Sequence, residues 1–372
     1  MPIYKIEKRK DGLQGYRVRL NKKDSAGNYI QIERTAYGLA EARELERQLL
    51  FETKRKRRTV GQVFEEYKDY KKSSLRLSSL LKTVGILKTH VLPFCADLDI
   101  KKLTKQKIVE WKKKISEKDL AITTKRNAYR EFSALLNFAV KMEYIDQNPL
   151  TILGNFRDKN LESNKKIQFY TPEEFRKYIR AARAYADEAG TLNAYGYFVF
   201  FAIAFYTGAR KGEINALKWT DINGDILSIS RSVNQKIKGV SEFEGAVKNK
   251  SSIREIQIPT PLMKILSEHK ERQKKVKGFS EDLRICGGIE CLKDTSIENA
   301  NIIFAKRAEL PKIRIHDFRH SHASLLCNEG INIQEIARRL GHSNVQTTWN
   351  TYSHLYPREQ ERAVSVLNSV EV

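Results

Sequence analysis

One uncharged stretch, Ala194–Tyr206, constrains the fold more than any other part of the chain. It consists almost entirely of aromatic and aliphatic residues. It is shorter than the roughly 18 apolar residues that a bilayer-spanning helix needs. A helix that is apolar on every side must therefore be buried inside a large protein core. The chain has 372 residues, which is enough for two or three domains with real cores.

The charge of the chain predicts a polyanionic partner. Lysine and arginine total 68 against 45 aspartate and glutamate residues, which gives a net charge of +23 and a pI near 9.7. The basic residues recur along the whole chain, which is typical of a protein that wraps a nucleic acid. Binding to a membrane surface is the alternative. It would call for a basic amphipathic helix or a lipidation motif, and the sequence contains neither.

The cysteines indicate a reducing environment. They stand without C-x-x-C spacing or a nearby pair of histidines, at Cys95, Cys286, Cys291 and Cys327. We therefore expect reduced thiols in the core and no zinc site. The N-terminal residues lack the apolar segment of a signal peptide, so we expect a cytoplasmic protein.

Hydrophobic periodicity divides the chain into three folded regions and a linker. Residues 1–57 predict a three-stranded sheet followed by one helix, and residues 58–150 predict four helices. Residues 151–169 are polar and aperiodic, as in a linker, and residues 170–372 form the last region. The predicted elements of the first two regions are the strands Ile3–Lys8, Tyr16–Lys22 and Asn28–Thr35 and the helices Leu39–Thr53, Val60–Lys72, Ser78–Val91, Thr104–Ile115 and Thr123–Met142.

The stretch from His316 to Tyr352 carries several chemically active side chains. His316 and Arg319 are three residues apart, so on a helix they share a face and can reach one ligand. Gly341 is typical of a residue that ends a helix, which would expose His342 on a turn. Together with Tyr352, these groups form a site suited to a phosphate and a nucleophile. Alternatively, the histidines satisfy core groups and the tyrosine is half-buried.

A second motif, T-G-x-R-x-x-E, follows the apolar stretch. Its glycine ends a helix, Arg210 begins the next one, and Glu213 stands one turn further on, where it can orient the guanidinium. The alternative is an exposed ion pair of little consequence. A β-meander is then predicted over residues 225–259, with Lys248 and Lys250 in its polar central part.

Taken together, these motifs resemble those of the tyrosine recombinases, the lambda-integrase type of site-specific recombinase. The matching patterns are T-G-x-R-x-x-E, L-x-W-x-D, H-x-x-R, L-G-H and T-T-x-x-x-Y, with a variant of K-T-x-x-S-x-R-x-I in which Asn249 replaces threonine. The resemblance implies a multidomain, mainly α fold with small β-sheets. It implies an arm-type DNA-binding domain over 1–57, a helical SAM-like core-binding domain over 58–150 and a mixed α/β catalytic domain over 170–372 with a C-terminal tail helix.

The resemblance also implies a set of catalytic residues and a reaction without metal or cofactor. The set comprises Arg210, Lys248, His316, Arg319, His342 and Tyr352. The two arginines would neutralise a phosphodiester, and the tyrosine would attack its phosphorus to give a 3′-phosphotyrosine.

The other members of this set would transfer protons or bind the phosphate. Lys248 would be the general acid for the departing 5′-oxygen, with Lys250 as a nearby competitor. His316 would be the base or proton shuttle for the tyrosine, and His342 would donate a hydrogen bond to the phosphate. Support of these groups is expected from Glu213, Asp317, His320 and His322.

The function implied is that of an integrase from a phage or a conjugative transposon. Such an enzyme would act as a homotetramer on double-stranded DNA with core-type and arm-type sites, through a Holliday junction, with the C-terminal tail docked on a neighbouring protomer. An excisionase and a host DNA-bending protein are further expected partners, and the bacterial nucleoid is the expected place of action. The alternatives are a type IB topoisomerase and a non-catalytic DNA-binding regulator on a recombinase scaffold.

Overall fold

The structure is a computed structural model that describes residues 3–9, 12–23, 29–54, 58–157, 168–235, 243–246, 252–355, 364 and 367–369. The chain consists of two compact units, Met1–Glu162 and Ser163–Val372. The regions predicted at 1–57 and 58–150 both fall in the first unit, so their division into two domains stays a prediction. No helix in the described part of the chain combines the length and the apolar character needed to cross a membrane.

A three-stranded antiparallel sheet and one helix begin the first unit. The elements are β1 (Ile3–Ile6), β2 (Gly15–Lys23), β3 (Tyr29–Tyr37) and α1 (Leu39–Lys54). The strands pair in sequence order, and the helix packs on one face of the sheet. Because side chains alternate along a strand, Val18 and Leu20 are buried in this small core, whereas Arg17 and Arg19 lie on the opposite face. The predicted sheet and helix are confirmed.

Helices form the rest of the first unit. They are α2 (Val60–Lys72), α3 (Leu77–His90), α4 (Leu92–Cys95), α5 (Lys105–Glu117) and α6 (Ile122–Lys141). Trp111 lies in their core with its ring centroid 4.9 Å from that of Phe132, and its indole N–H donates to the carbonyl oxygen of His90. The prediction of four helices missed α4, because one turn that contains Pro93 is too short to show helical periodicity.

The second unit is built around one buried helix, α8 (Leu192–Thr207). Its residues from Phe198 to Ala204 are at most 2 % exposed. It packs against α7 (Pro172–Ala189), α10 (Thr260–Lys274) and α12 (Asp317–Asn328). The apolar stretch is therefore a core helix, as predicted.

Short helices and small sheets complete the second unit. They are α9 (Lys211–Ala216), β4 (Ile222–Asn223), β5 (Ile226–Ile229), β6 (Arg231–Asn234), β7 (Phe243–Ala246), β8 (Arg254–Gln257), α11 (Asp294–Arg307), α13 (Ile333–Leu340) and α14 (Val345–Tyr352). Strands β4, β5 and β8 form one antiparallel sheet, and β6 pairs with β7. The segment between β7 and β8 that contains Lys248 and Lys250 lies outside the described residues, as does most of the predicted tail helix.

Local geometry sets the helix boundaries of the second unit and confirms the helix ends predicted at the two glycines, Gly208 and Gly341. The side chain of Thr171 accepts the backbone N–H of Glu174, whose carboxylate accepts the backbone N–H of Thr171 in return. Gly208 and Gly341 end α8 and α13 with a φ of +65° in each case. At Gly208 a Cβ would also lie 2.7 Å from the ring of His322, so the chain needs glycine here both for conformation and for space.

We expect opposite effects from alanine at two helical glycines. A Cβ at Gly196, in α8, would collide with the backbone carbonyl oxygen of Cys286, whereas a Cβ at Gly85, in α3, would meet nothing within 4 Å. Gly196→Ala should therefore destabilise its unit by about 1–3 kcal/mol, and Gly85→Ala should stabilise its unit by about 0.5–1 kcal/mol. Differential scanning calorimetry of the full chain measures both effects. A Gly196→Ala variant as stable as the parent would contradict the packing described for α8.

Candidate active site

Arg319 is held between the ends of two helices. One of its terminal amino groups donates to the carbonyl oxygen of Gly208 at 2.8 Å and the other to that of Leu340 at 2.7 Å. These carbonyls lie at the C-terminal ends of α8 and α13, where helix dipoles favour a positive charge. The side chain is buried, and burial, followed by the positive charge of Arg210, lowers the pKa of Arg319 to about 9. The guanidinium therefore sits in a site that an added negative charge would stabilise.

Arg210 is anchored by a carboxylate that it shares with another arginine. Its Nη1 donates to Oε1 of Glu213 at 2.8 Å, and its backbone N–H donates to Oε2 at 2.9 Å. Nη2 of Arg254 donates to the same Oε2 at 2.9 Å. The side chain of Arg210 is 38 % exposed, whereas that of Glu213 is 2 % exposed. The ion pair of the alternative interpretation is present, but it is not a pair at the surface, because its carboxylate is buried.

Arg254 is a part of the site that the sequence did not single out. Its side chain is buried, and its Nε donates to the carbonyl oxygen of Arg339 at 2.6 Å. Burial would raise the pKa of Glu213, but the charges of Arg254 and Arg210 and their hydrogen bonds outweigh it, so this pKa is lowered. Arg254 lies in β8, where buried and exposed side chains alternate. Which of them face inward can be told only when the strand and its pairing are known.

His316 and His342 lie in the field of the two arginines. Burial first, and then nearby positive groups, lower the pKa of each ring to about 4. Arg319 and Arg210 contribute in both cases. Arg319 donates to the carbonyl oxygen of Leu340 and Arg210 to that of Gly341, directly before His342, and His316 precedes the helix that carries Arg319. The structure thus brings these four predicted catalytic residues together. The Nδ1 atom of His342 lies 2.8 Å from the hydroxyl of Thr348, which fixes the orientation of this ring.

Tyr352 ends α14 and is buried, with 2 % of its surface exposed. Burial raises its pKa, and the charge of Arg319 opposes this rise. Its hydroxyl oxygen lies 2.6 Å from Nδ1 of His320. Among the contacts of the described residues, the hydroxyl thus meets His320 and not His316, the base that the sequence predicted. The two imidazole rings lie edge-on with their centroids 5.1 Å apart.

The remaining predicted residues have supporting contacts or lie outside the described part of the chain. The buried carboxylate of Asp317 accepts the backbone N–H and the guanidinium of Arg314, which fixes the start of α12. His322 is buried with its Nδ1 2.8 Å from the carbonyl oxygen of Phe205. Within the described residues, no group of three or more histidine, cysteine or acidic side chains could hold a metal ion. The roles of Lys248 and Lys250 stay predictions.

We expect Glu213→Gln to destabilise the second unit strongly. Removing the charge leaves Arg254 buried without its ionic partner, which typically costs about 3–5 kcal/mol. Glu173→Gln, which removes the exposed partner of Arg176, is the matched control and should change stability by no more than about 0.5 kcal/mol. Urea unfolding at pH 7 measures both variants.

The effect of Glu213→Gln should also depend on pH. The pKa of Glu213 in the folded chain lies below its ordinary value of 4.5. The stability that its charge contributes is therefore present above pH 4.5 and is lost as the pH falls through the lowered pKa. The difference between parent and variant should shrink below pH 4.5. A difference that grows on acidification would contradict the shared-carboxylate geometry.

Comparisons with known proteins identify the family of this chain. The Phage integrase family matches residues 168–359, and the family of phage integrase N-terminal SAM-like domains matches residues 59–116. The ICEBs1 integrase of Bacillus subtilis is 31 % identical over 296 residues, which cover 77 % of this chain and 76 % of that protein. The integrase of Mycobacterium phage L5 is 26 % identical over 70 % of this chain and 66 % of its own length.

Solved structures share the fold at lower identity. The Tn1549 transposon integrase in complex with circular intermediate DNA superposes with a TM-score of 0.63 at 20 % identity, over 83 % of this chain and 100 % of that one. A lambda integrase tetramer bound to a Holliday junction gives a TM-score of 0.55 at 16 % identity, over 92 % and 96 % of the two chains. The family match covers more than half of the 372 residues and includes every predicted catalytic position. This chain therefore belongs to the phage integrase family of tyrosine recombinases.

Proposed function

We propose that this chain is a site-specific recombinase that integrates or excises a mobile element. It cleaves and rejoins DNA strands through a 3′-phosphotyrosine at Tyr352 and a Holliday junction. The observation that carries the proposal is the set of contacts around the end of α13 and the start of α12. Arg319 donates to the carbonyl oxygen of Leu340 and Arg210 to that of Gly341, directly before His342. The ring of His316 lies against that of His320, which contacts the hydroxyl of Tyr352.

The paired arginines suit a phosphodiester. Each guanidinium can offer two parallel N–H groups to non-bridging oxygens, a geometry that lysine cannot reproduce. The buried position of Arg319 makes its interaction with a phosphate strong, because a low-dielectric surrounding screens charge poorly. His342, held by Thr348, donates a further hydrogen bond to the phosphate. These groups neutralise the charge that builds up when an oxygen attacks phosphorus.

Tyr352 supplies that oxygen, and its proton passes to one of the two imidazoles at the start of α12. The new O–P bond forms as the bond from phosphorus to the 5′-oxygen breaks, and Lys248 protonates the departing oxygen. The phosphotyrosine keeps the energy of the phosphodiester, so a 5′-hydroxyl from another strand can reverse the reaction and complete strand exchange. No nucleotide or metal is needed to drive the exchange in either direction.

The first unit offers surfaces for further DNA contacts. Arg17 and Arg19 lie on the sheet face opposite α1, where both pair with Glu33. We propose that this face binds arm-type sites in a DNA groove, and that the helices of residues 58–150 bind the core site. An excisionase and a host DNA-bending protein complete the proposed assembly, which acts on the nucleoid in the bacterial cytoplasm.

We propose a homotetramer as the active form. The lambda integrase tetramer on a Holliday junction, which has the same fold, supports this arrangement. In the proposed tetramer, the C-terminal tail docks on a neighbouring protomer. The apolar residues Val364 and Leu367 are 50 % and 70 % exposed, as expected of a tail that binds elsewhere.

Replacing the nucleophile gives the most direct test of this function. The substrate is a duplex with the joined ends of the mobile element and a nick beside the cleavage position, so that the short 5′-hydroxyl fragment is lost and the adduct is trapped. Tyr352→Phe should form no covalent adduct on a denaturing gel and should bind the duplex as the parent does, because only the hydroxyl is removed. Tyr356→Phe is the control and should form adduct normally. An adduct with Tyr352→Phe would disprove the assignment.

A sulfur-bridged substrate tests the assignment of the general acid. A thiol, with a reference pKa of about 8.5, is far more acidic than an alcohol and can leave without being protonated. Lys248→Ala should therefore cleave normal DNA very slowly and cleave DNA with sulfur at the bridging 5′ position at nearly the parental rate. Lys250→Ala should show little defect on either substrate. Sulfur rescue of Lys250→Ala in place of Lys248→Ala would transfer the role to Lys250.

A further inference from the structure

The hydroxyl of Tyr352 contacts the imidazole of His320, which is not one of the six predicted catalytic residues. Nδ1 of His320 lies 2.6 Å from this oxygen, and the ring centroids are 5.6 Å apart. The tyrosine is 2 % exposed. A buried hydroxyl donates its hydrogen wherever an acceptor is in reach, and among the described residues this ring nitrogen is its hydrogen-bond partner. We assign Nδ1 of His320 as the acceptor of this hydrogen, which places the ring proton of the neutral imidazole on Nε2.

The two histidines at the start of α12 occupy different positions in the site. His316 is the N-cap residue of α12, and the charges of Arg319 and Arg210 both act on it, whereas of these two only Arg319 acts on His320. His320 stands one turn further along, against Tyr352. Burial lowers the pKa of His320 below its ordinary value. The ring is therefore neutral near pH 7 and can accept a proton.

We propose that His320 is the general base of strand cleavage. This role rests on the function proposed above and replaces the one that the family resemblance implies for His316. As Oη of Tyr352 attacks phosphorus, its proton moves to Nδ1 of His320, the O–P bond forms, and the 5′-oxygen leaves with a proton from the general acid. On rejoining, the imidazolium of His320 returns the proton to Oη. His316 remains beside the arginines on the phosphate side.

The variant His320→Asn tests whether His320 takes up a proton or only contacts the hydroxyl of Tyr352. The side-chain amide of asparagine can place an oxygen near the position of Nδ1, but it cannot take up a proton. Positioned general bases contribute about 10²–10⁴-fold to a rate, so adduct formation on the nicked duplex should slow by at least about 100-fold. Thermal unfolding and duplex binding of the variant should match those of the parent, which excludes a folding defect.

Fluorinated tyrosine at position 352 provides the decisive comparison. Ring fluorine makes the phenol more acidic, so its proton can leave without a protein base. Difluorotyrosine at this position should restore most of the rate that His320→Asn loses and should change the parental rate by only a few fold. It should not rescue His342→Asn, because that variant lacks a hydrogen bond to the phosphate.

Four other results would contradict the assignment of His320 as the base. A parental rate in His320→Asn would overturn the proposal, as would a slow rate that fluorination does not rescue, since His320 would then only hold the ring in place. Rescue of His316→Asn instead of His320→Asn would return the role to His316. A parent chain that forms no adduct on the nicked duplex would overturn the proposed function itself, and the base assignment with it.

Discussion

The site depends on one buried carboxylate. Glu213 receives hydrogen bonds from both Arg210 and Arg254, and its own side chain is almost fully buried. An unpaired charge in such a place would be costly, and two arginines side by side would repel each other without it. The carboxylate of Glu213 neutralises Arg254 in the interior and reduces the repulsion between the two arginines. Because Arg210 is partly exposed, its guanidinium can also bind an anion. One short helix thereby sets the geometry and the charge of the phosphate site.

Arg254 and Arg319 connect this carboxylate to the end of α13. Arg254 donates to the carbonyl oxygen of Arg339, and Arg319 donates to that of Leu340, so two guanidinium groups bind the last turn of the same helix. Gly341 follows with positive φ, and a Cβ there would lie 3.0 Å from Nη1 of Arg254. Glycine is thus required where the chain turns towards His342. The end of α13 therefore positions His342, the guanidinium groups of Arg254 and Arg319, and the helix α14 that carries the nucleophile.

Features that depend on neighbouring residues could be predicted from the sequence. The helix ends at Gly208 and Gly341 involve contacts within a few residues, so the local residue pattern indicates them. The buried helix α8 followed from its length and apolar character. The family resemblance supplied the catalytic set, of which His316, Arg319, His342 and Arg210 are found together in the structure.

Features that depend on distant residues could not be predicted in this way. Arg254 is 41 residues from Glu213, and Tyr352 is 32 residues from His320. His316 and His320 are four residues apart in the sequence, and this spacing does not show which of the two rings meets the phenol. The short helix α4 was missed because one turn has no periodicity.

Mapping the covalent bond between protein and DNA tests the account most directly. After digestion of the trapped adduct with nuclease and trypsin, mass spectrometry should find a nucleotide on the peptide that runs from Leu340 to Arg358, with fragmentation placing it on Tyr352. This result would show that the buried tyrosine beside His320 is the nucleophile. A nucleotide on Tyr356, or on a peptide from any other part of the chain, would contradict the site described for this protein.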